Sequence, residues 1–141
     1  MGQASPINIG IDYSDEFLVG HPVIDREHRS LFEKSRAVLH AFLLNSPRPQ
    51  IIEGMRELYT ELQNHFTHEE AILDALDYPR LPEQREQHEA IMAKAARTLA
   101  HYEAQSMSFG DLYSFLFGQI VKGHFLKEDM LLKDFLATSH S

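Results

Sequence analysis

Apolar residues recur three or four positions apart along most of this chain, and the stretches with that spacing are separated by Pro, Gly and small polar residues, which is the pattern of amphipathic helices. The first stretch, residues 22–45, puts His28, Leu31, Phe32, Ser35, Leu39 and Phe42 on one stripe and stops before Ser46-Pro47-Arg48-Pro49. The second, residues 49–76, aligns Ile52, Met55, Leu58, Leu62, His65, Glu69, Ile72 and Leu76, and ends at Asp77-Tyr78-Pro79 and Pro82. The third, residues 83–105, carries Gln84, His88, Ile91, Ala95, Leu99 and Tyr102. Ser108 then offers a side-chain cap for a fourth, residues 109–136, with Leu112, Leu116, Ile120, His124, Leu131 and Phe135 in line.

Four helices joined by short connections predict an all-α, antiparallel up-down-up-down four-helix bundle. Residues 1–20 read as an N-terminal arm and residues 21–138 as one bundle domain. With 141 residues and 43% hydrophobic content the chain can bury one core and leaves little room for a second.

Composition narrows the chemistry. Thirteen Lys and Arg against 21 Asp and Glu give a formal charge of -8, which argues against nucleic acid or an anionic membrane as partner. No apolar run is long enough to span a bilayer, and the start MGQASPINIG lacks the segments of an export signal, so a cytoplasmic location is expected. The absence of cysteine removes disulfides, thiolate metal sites and cysteine nucleophiles together, leaving nitrogen and oxygen as the only strong metal donors. Histidine is abundant, at 9 residues.

Metal-competent side chains interrupt each of the four apolar stripes, and buried polar groups need partners. His65 and Glu69, four apart, project from one helix face a turn apart. His28 and His88 come from two further helices. On the fourth, His124 and Asp129 are separated by about 140° around the axis and would reach in from two sides. Any one inward histidine is ordinarily a hydrogen-bonded core residue, but the joint pattern on four helices points to ligation. Four imidazoles and two carboxylates exceed what one zinc ion takes. Two ions bridged by Glu69 and Asp129 fit better, and the mixed donors suit iron, with manganese, copper or zinc less favoured. His21, His40, His68, His101 and His140 are expected at surface or boundary positions, and Phe32, Phe66, Ile120 and Leu131 in the core.

The run Ile24-Asp25-Arg26-Glu27-His28, Leu31-Phe32, His65-Phe66-Thr67-His68-Glu69-Glu70, Tyr78-Pro79, His88 and His124 with Asp129 resembles the bacterial hemerythrins over residues 17–136. That family is itself a standing example of the bundle topology, so the resemblance carries the fold as well. It implies a non-haem di-iron centre that binds O2 reversibly as a peroxo species or changes redox state. His28 and His65 would be terminal ligands of the iron that takes O2, His88 and His124 would serve the other, and Glu69, Asp129 and an oxo or hydroxo group would bridge them. Gln84 departs from the family, which usually has a histidine there. With each iron left at five ligands, the centre should be more symmetric and more open, with solvent, a small anion or the Gln84 amide in the gap.

The same ligands serve several purposes. The preferred expectation is an oxygen or redox sensory domain that passes a helix shift to an output domain C-terminal to this chain. The second is a freestanding O2 carrier or store, and the weakest a di-iron enzyme acting on peroxide or nitric oxide. No catalytic residue is assigned and the domain is not expected to be an enzyme.

Overall fold

A computed structural model describes residues 18–105, 108–116 and 129–139. They form α1 (Pro22–Leu43), α2 (Arg48–Ala75), α3 (Leu81–Ala104), α4 (Phe109–Tyr113) and α5 (Asp129–Ser139), with no strand among the described residues. Among those residues no helix is long and apolar enough to cross a membrane. Of the expected arm, residues 1–17 lie outside the described residues, while Val19 is buried against the bundle.

The helix ends follow from local chemistry. Pro22 occupies the first turn of α1, and the His21 side chain accepts a hydrogen bond from Val23 N, so His21 is an N-cap rather than a bystander. Asp25 reaches back to accept from the backbone N–H of Val19 at 2.7 Å and of Gly20 at 3.1 Å, which stitches the incoming chain to the helix. α1 and α2 both end in a left-handed residue, Asn45 at φ 55° and Asp77 at φ 56°. The N–H of Ser46 bonds to Ala41 O and that of Tyr78 to Leu73 O, the paired pattern that satisfies the last carbonyls of a helix. Ser108 caps α4 as expected, accepting from Asp111 N. Pro82 does not end α2; it sits in the first turn of α3, where its missing N–H is harmless.

Contacts between neighbours run in opposite senses along the chain. Glu27 meets His65 and His68, Lys34 meets Glu61, and Val38 lies beside Gly54, so α1 and α2 are antiparallel. Glu70 meets Arg85 and His88 while Arg56 meets Glu103, so α2 and α3 are antiparallel too. Phe109 of α4 packs on Phe42, at the far end of α1, whereas Leu132 and Leu136 of α5 join Ile24, Leu73 and Leu81 at the near end. α4 and α5 thus sit toward opposite ends of α1.

The core is in two pieces. A large cluster centres on Phe32, Leu39, Met55, Leu58, Leu62 and Leu116, and a smaller one on Ile24, Leu73, Tyr78, Leu81, Leu132 and Leu136. Leu131 does not belong to either: it is exposed, and the buried positions of α5 are Leu132 and Leu136. A stripe carried from Leu112 at a fixed angle accumulates error over five turns, and with leucine at both 131 and 132 the sequence offers no means of choosing. Phe66 and Phe32 are core as expected, and Ile120 lies outside the described residues.

Candidate metal centre

Between the two apolar clusters every described long helix turns polar at the same level. On α1 His28 lies between Ile24 and Leu31, on α2 Glu69 lies between Phe66 and Leu73, and on α3 Gln84 and His88 lie between Leu81 and Ile91; all are buried. Antiparallel registers bring these positions together although they are far apart in sequence.

Glu69 is the centre of the arrangement, and its side chain has no solvent exposure. Its Oε2 lies 3.1 Å from His65 Nε2 and 3.4 Å from His28 Nε2, and its Oε1 lies 3.1 Å from His88 Nε2. One carboxylate thus addresses two groups of imidazoles with two different oxygens. His28, His65 and Glu69 offer donor atoms all within 4.8 Å of one another. The rings are held by packing as well: His28 meets His65 edge-on at 4.5 Å between centroids, and His88 stacks on Phe66 at 3.8 Å.

A second layer of carboxylates fixes the ring orientations. His65 Nδ1–H donates to Glu27 Oε1 at 2.9 Å, and His88 Nδ1–H donates to Glu70 Oε2 at 2.7 Å. With Nδ1 engaged, each ring turns Nε2 inward, the arrangement in which an outer carboxylate orients a ligating imidazole and raises its basicity. Glu27 also accepts from the exposed His68 at 2.6 Å, and Glu70 accepts from Arg85 Nε at 3.3 Å. The stripes give neither Glu27 nor Glu70 a role, because each sits one residue off the buried face. An acid directly beside a buried histidine or glutamate was the signal that could have found them.

The electrostatics suit a cation. Burial disfavours a charged His65, but the hydrogen bonds to Glu27 and Glu69 outweigh it and raise the ring from 6.5 to about 9. Glu27 is partly desolvated, yet its hydrogen bonds to His65 and His68 hold it below 4.5. A buried carboxylate needs a compensating positive charge, and here a proton on His65 supplies one at the position where an ion would otherwise sit. The donors are imidazole nitrogen and carboxylate oxygen, converging and pre-oriented, and they fit a first-row transition metal.

His28, His65 and His88 are therefore brought together around Glu69, and Gln84 is buried one turn from His88 on α3. His124 lies outside the described residues, as does the side chain of Asp129, whose backbone opens α5. His40, His68 and His101 are exposed, as expected for residues off the stripes. Tyr78 is buried in the smaller cluster, edge-on to Phe135 at 4.8 Å.

A helical bundle whose core is broken by a buried carboxylate among inward-facing imidazoles defines a cation-binding protein. The chain belongs to the hemerythrin family: the hemerythrin HHE cation binding domain matches residues 19–136. No solved structure matches the chain.

Proposed function

We infer that the domain holds two iron ions and works in the cytoplasm as an oxygen or redox sensor. His28 and His65 would serve one ion, His88 and His124 the other, with Glu69, Asp129 and an oxo or hydroxo group between them. The observation that carries this reading is the division of Glu69, whose Oε2 faces His28 and His65 while Oε1 faces His88. A single ion has no use for that division, and two ions do. The bound irons would supply redox chemistry and affinity for O2 or small anions; the protein supplies oriented imidazoles and a dry surround. The described groups around the cage are candidate ligands and the carboxylates that orient them, so binding rather than catalysis is proposed.

Sensing is favoured over carriage by where α5 is anchored. Ile24 is one turn from His28, and Leu73 is one turn from Glu69, and both belong to the cluster that buries Leu132 and Leu136. A change in ligation that tilts either donor would be felt by α5 through packing, since close-packed contacts do not absorb shifts softly. An output domain following this chain would receive it.

Metal analysis combined with an optical spectrum of anaerobically reduced protein, before and after air, tests the centre. Two irons per chain and a charge-transfer band on oxidation are expected, and one colourless zinc would end the reading. Hydrogen exchange of α5 in the reduced and oxidised forms tests the sensor. A changed exchange rate and oxidation by air within minutes are expected, whereas unchanged exchange and reversible O2 uptake lasting hours would make the protein a carrier.

A further inference from the structure

Gln84 is 1% exposed, and neither its Nε2 nor its Oε1 has a hydrogen-bond partner among the described residues. Native proteins seldom bury an amide in that state, and a leucine would fill the space without the penalty. One turn along the same face of α3 is His88. In the other direction the next buried position is Leu81, in the smaller cluster, and no hydrogen bond joins Gln84 to that cluster. Of the described carboxylates near this level, Glu69 is engaged on the imidazoles and Glu70 on His88 and Arg85. Among the described residues, the protein builds an amide into its core and gives it no partner.

We propose that Gln84 is the donor of a small-anion site on the His88 side of the cage, its Nε2–H groups binding a compact anion drawn there by the ions; this rests on the two-iron reading above. Ferric ions outweigh the carboxylates that would bridge them, so a further anion is attracted to the cage. The amide decides where it is held. Ligation of an ion by Oε1 instead would leave both N–H groups buried and unanswered, and an unmet N–H is rarer in native folds than an under-satisfied carbonyl. The ligand class is therefore a small inorganic anion with an accessible lone pair, recognised jointly by charge and by an amide N–H.

Azide is the probe, titrated optically into the iron-loaded, oxidised protein, with Gln84→Leu as the variant and Gln84→Met as a second of similar shape. Both variants are expected to keep the wild-type iron content and to bind azide about tenfold more weakly, the loss expected for one hydrogen bond to a charged group. The metal-free Gln84→Leu protein should melt at or above the wild-type temperature. Unchanged azide affinity in both variants overturns the proposal. So does loss of one iron, which makes Gln84 a ligand, or a fall of several degrees in metal-free melting, which gives the amide a partner within the protein. Wild-type protein that takes up no iron overturns the two-iron reading and this proposal together, whereas iron-loaded protein with unaltered azide binding overturns this proposal alone.

Discussion

The charge on His65 makes metal uptake compete with a proton, and the competition has a calculable size. An ion on His65 needs the Nε2 lone pair, and in the metal-free fold that nitrogen shares its environment with Glu69 Oε2 at 3.1 Å while Nδ1–H is held by Glu27. With the ring at about 9, roughly one molecule in eleven has a free Nε2 at pH 8, and roughly one in a thousand at pH 6. Iron(II) affinity should therefore fall about 90-fold across that interval from His65 alone, where a ring at the ordinary 6.5 would lose only about fourfold. Glu27→Gln keeps an acceptor for Nδ1–H but removes its charge, so the dependence should flatten at least threefold. The assay is an anaerobic competition for iron(II) against a chelator of known pH dependence, with wild type and variant measured side by side so that the other histidines cancel. Equal pH dependence in the two proteins would refute the assignment of Glu27 as a group that, with Glu69, charges His65.

Stability of the metal-free protein should move the other way. Because the folded pKa of His65 is raised, its contribution is fully present below pH 6.5 and is lost as pH rises through about 9. The shift corresponds to about 3 kcal/mol at most, and the depressed Glu27 is the same pair seen from its partner, so it is not added again. Metal-free protein that is as stable at pH 9.5 as at pH 6 by denaturant titration would exclude this.

Three further outcomes are expected. Glu70→Ala frees His88 Nδ1 and should weaken metal affinity by about 10- to 100-fold with little change in metal-free melting, measured by the same competition. Asp77→Gly relieves both a left-handed backbone and an acid at a helix C-terminus and should stabilise by about 1 kcal/mol, read as a shift in urea midpoint at constant slope. Gly54→Ala places a Cβ at 3.4 Å from Val38 Cγ2, close but tolerable, so the gain in helix propensity should leave the variant about 0.5 kcal/mol more stable; a loss would mean that α1 and α2 cannot part even slightly.

What the sequence reveals here is whatever repeats with the helix. His28, His65, Glu69 and His88 lie on the same stripes as the leucines around them, so periodicity alone placed them inward, and the structure buries all of them. Glu27 and Glu70 break that periodicity. Their role depends on which ring of another helix lies across from them, a matter of interhelical register that one helix's pattern does not contain. His21 eluded the stripes for the same reason, since capping depends on where the backbone enters the helix and not on the buried face. Leu131 and Leu132 show a different limit, two equivalent residues with one buried slot. Gln84 is visible as a departure from the family, but the lack of a partner for its amide among the described residues belongs to three dimensions.

The position of the cage within the core ties occupancy to the fold. Among the described residues its polar layer divides the apolar interior, so the cluster that holds α5 is separate from the larger one and packs on Ile24, Leu73, Tyr78 and Leu81. Ile24, Leu73 and Leu81 are carried on the same helices as His28, Glu69 and Gln84, each within about one turn, and Tyr78 lies in the connection between α2 and α3. Among the described residues, Glu27, Glu69 and Glu70 bring three acids to the layer, with the exposed His68 and Arg85 at its rim. Cations that bind the folded cage and not the open chain must stabilise the layer, by an amount that grows with their concentration relative to their affinity. The smaller cluster rests on that layer, and α5 rests on the cluster. Under the sensor reading proposed above, a switch in the charge or number of ions would act first on the part of the bundle nearest α5, a property that a sensor requires and a carrier does not.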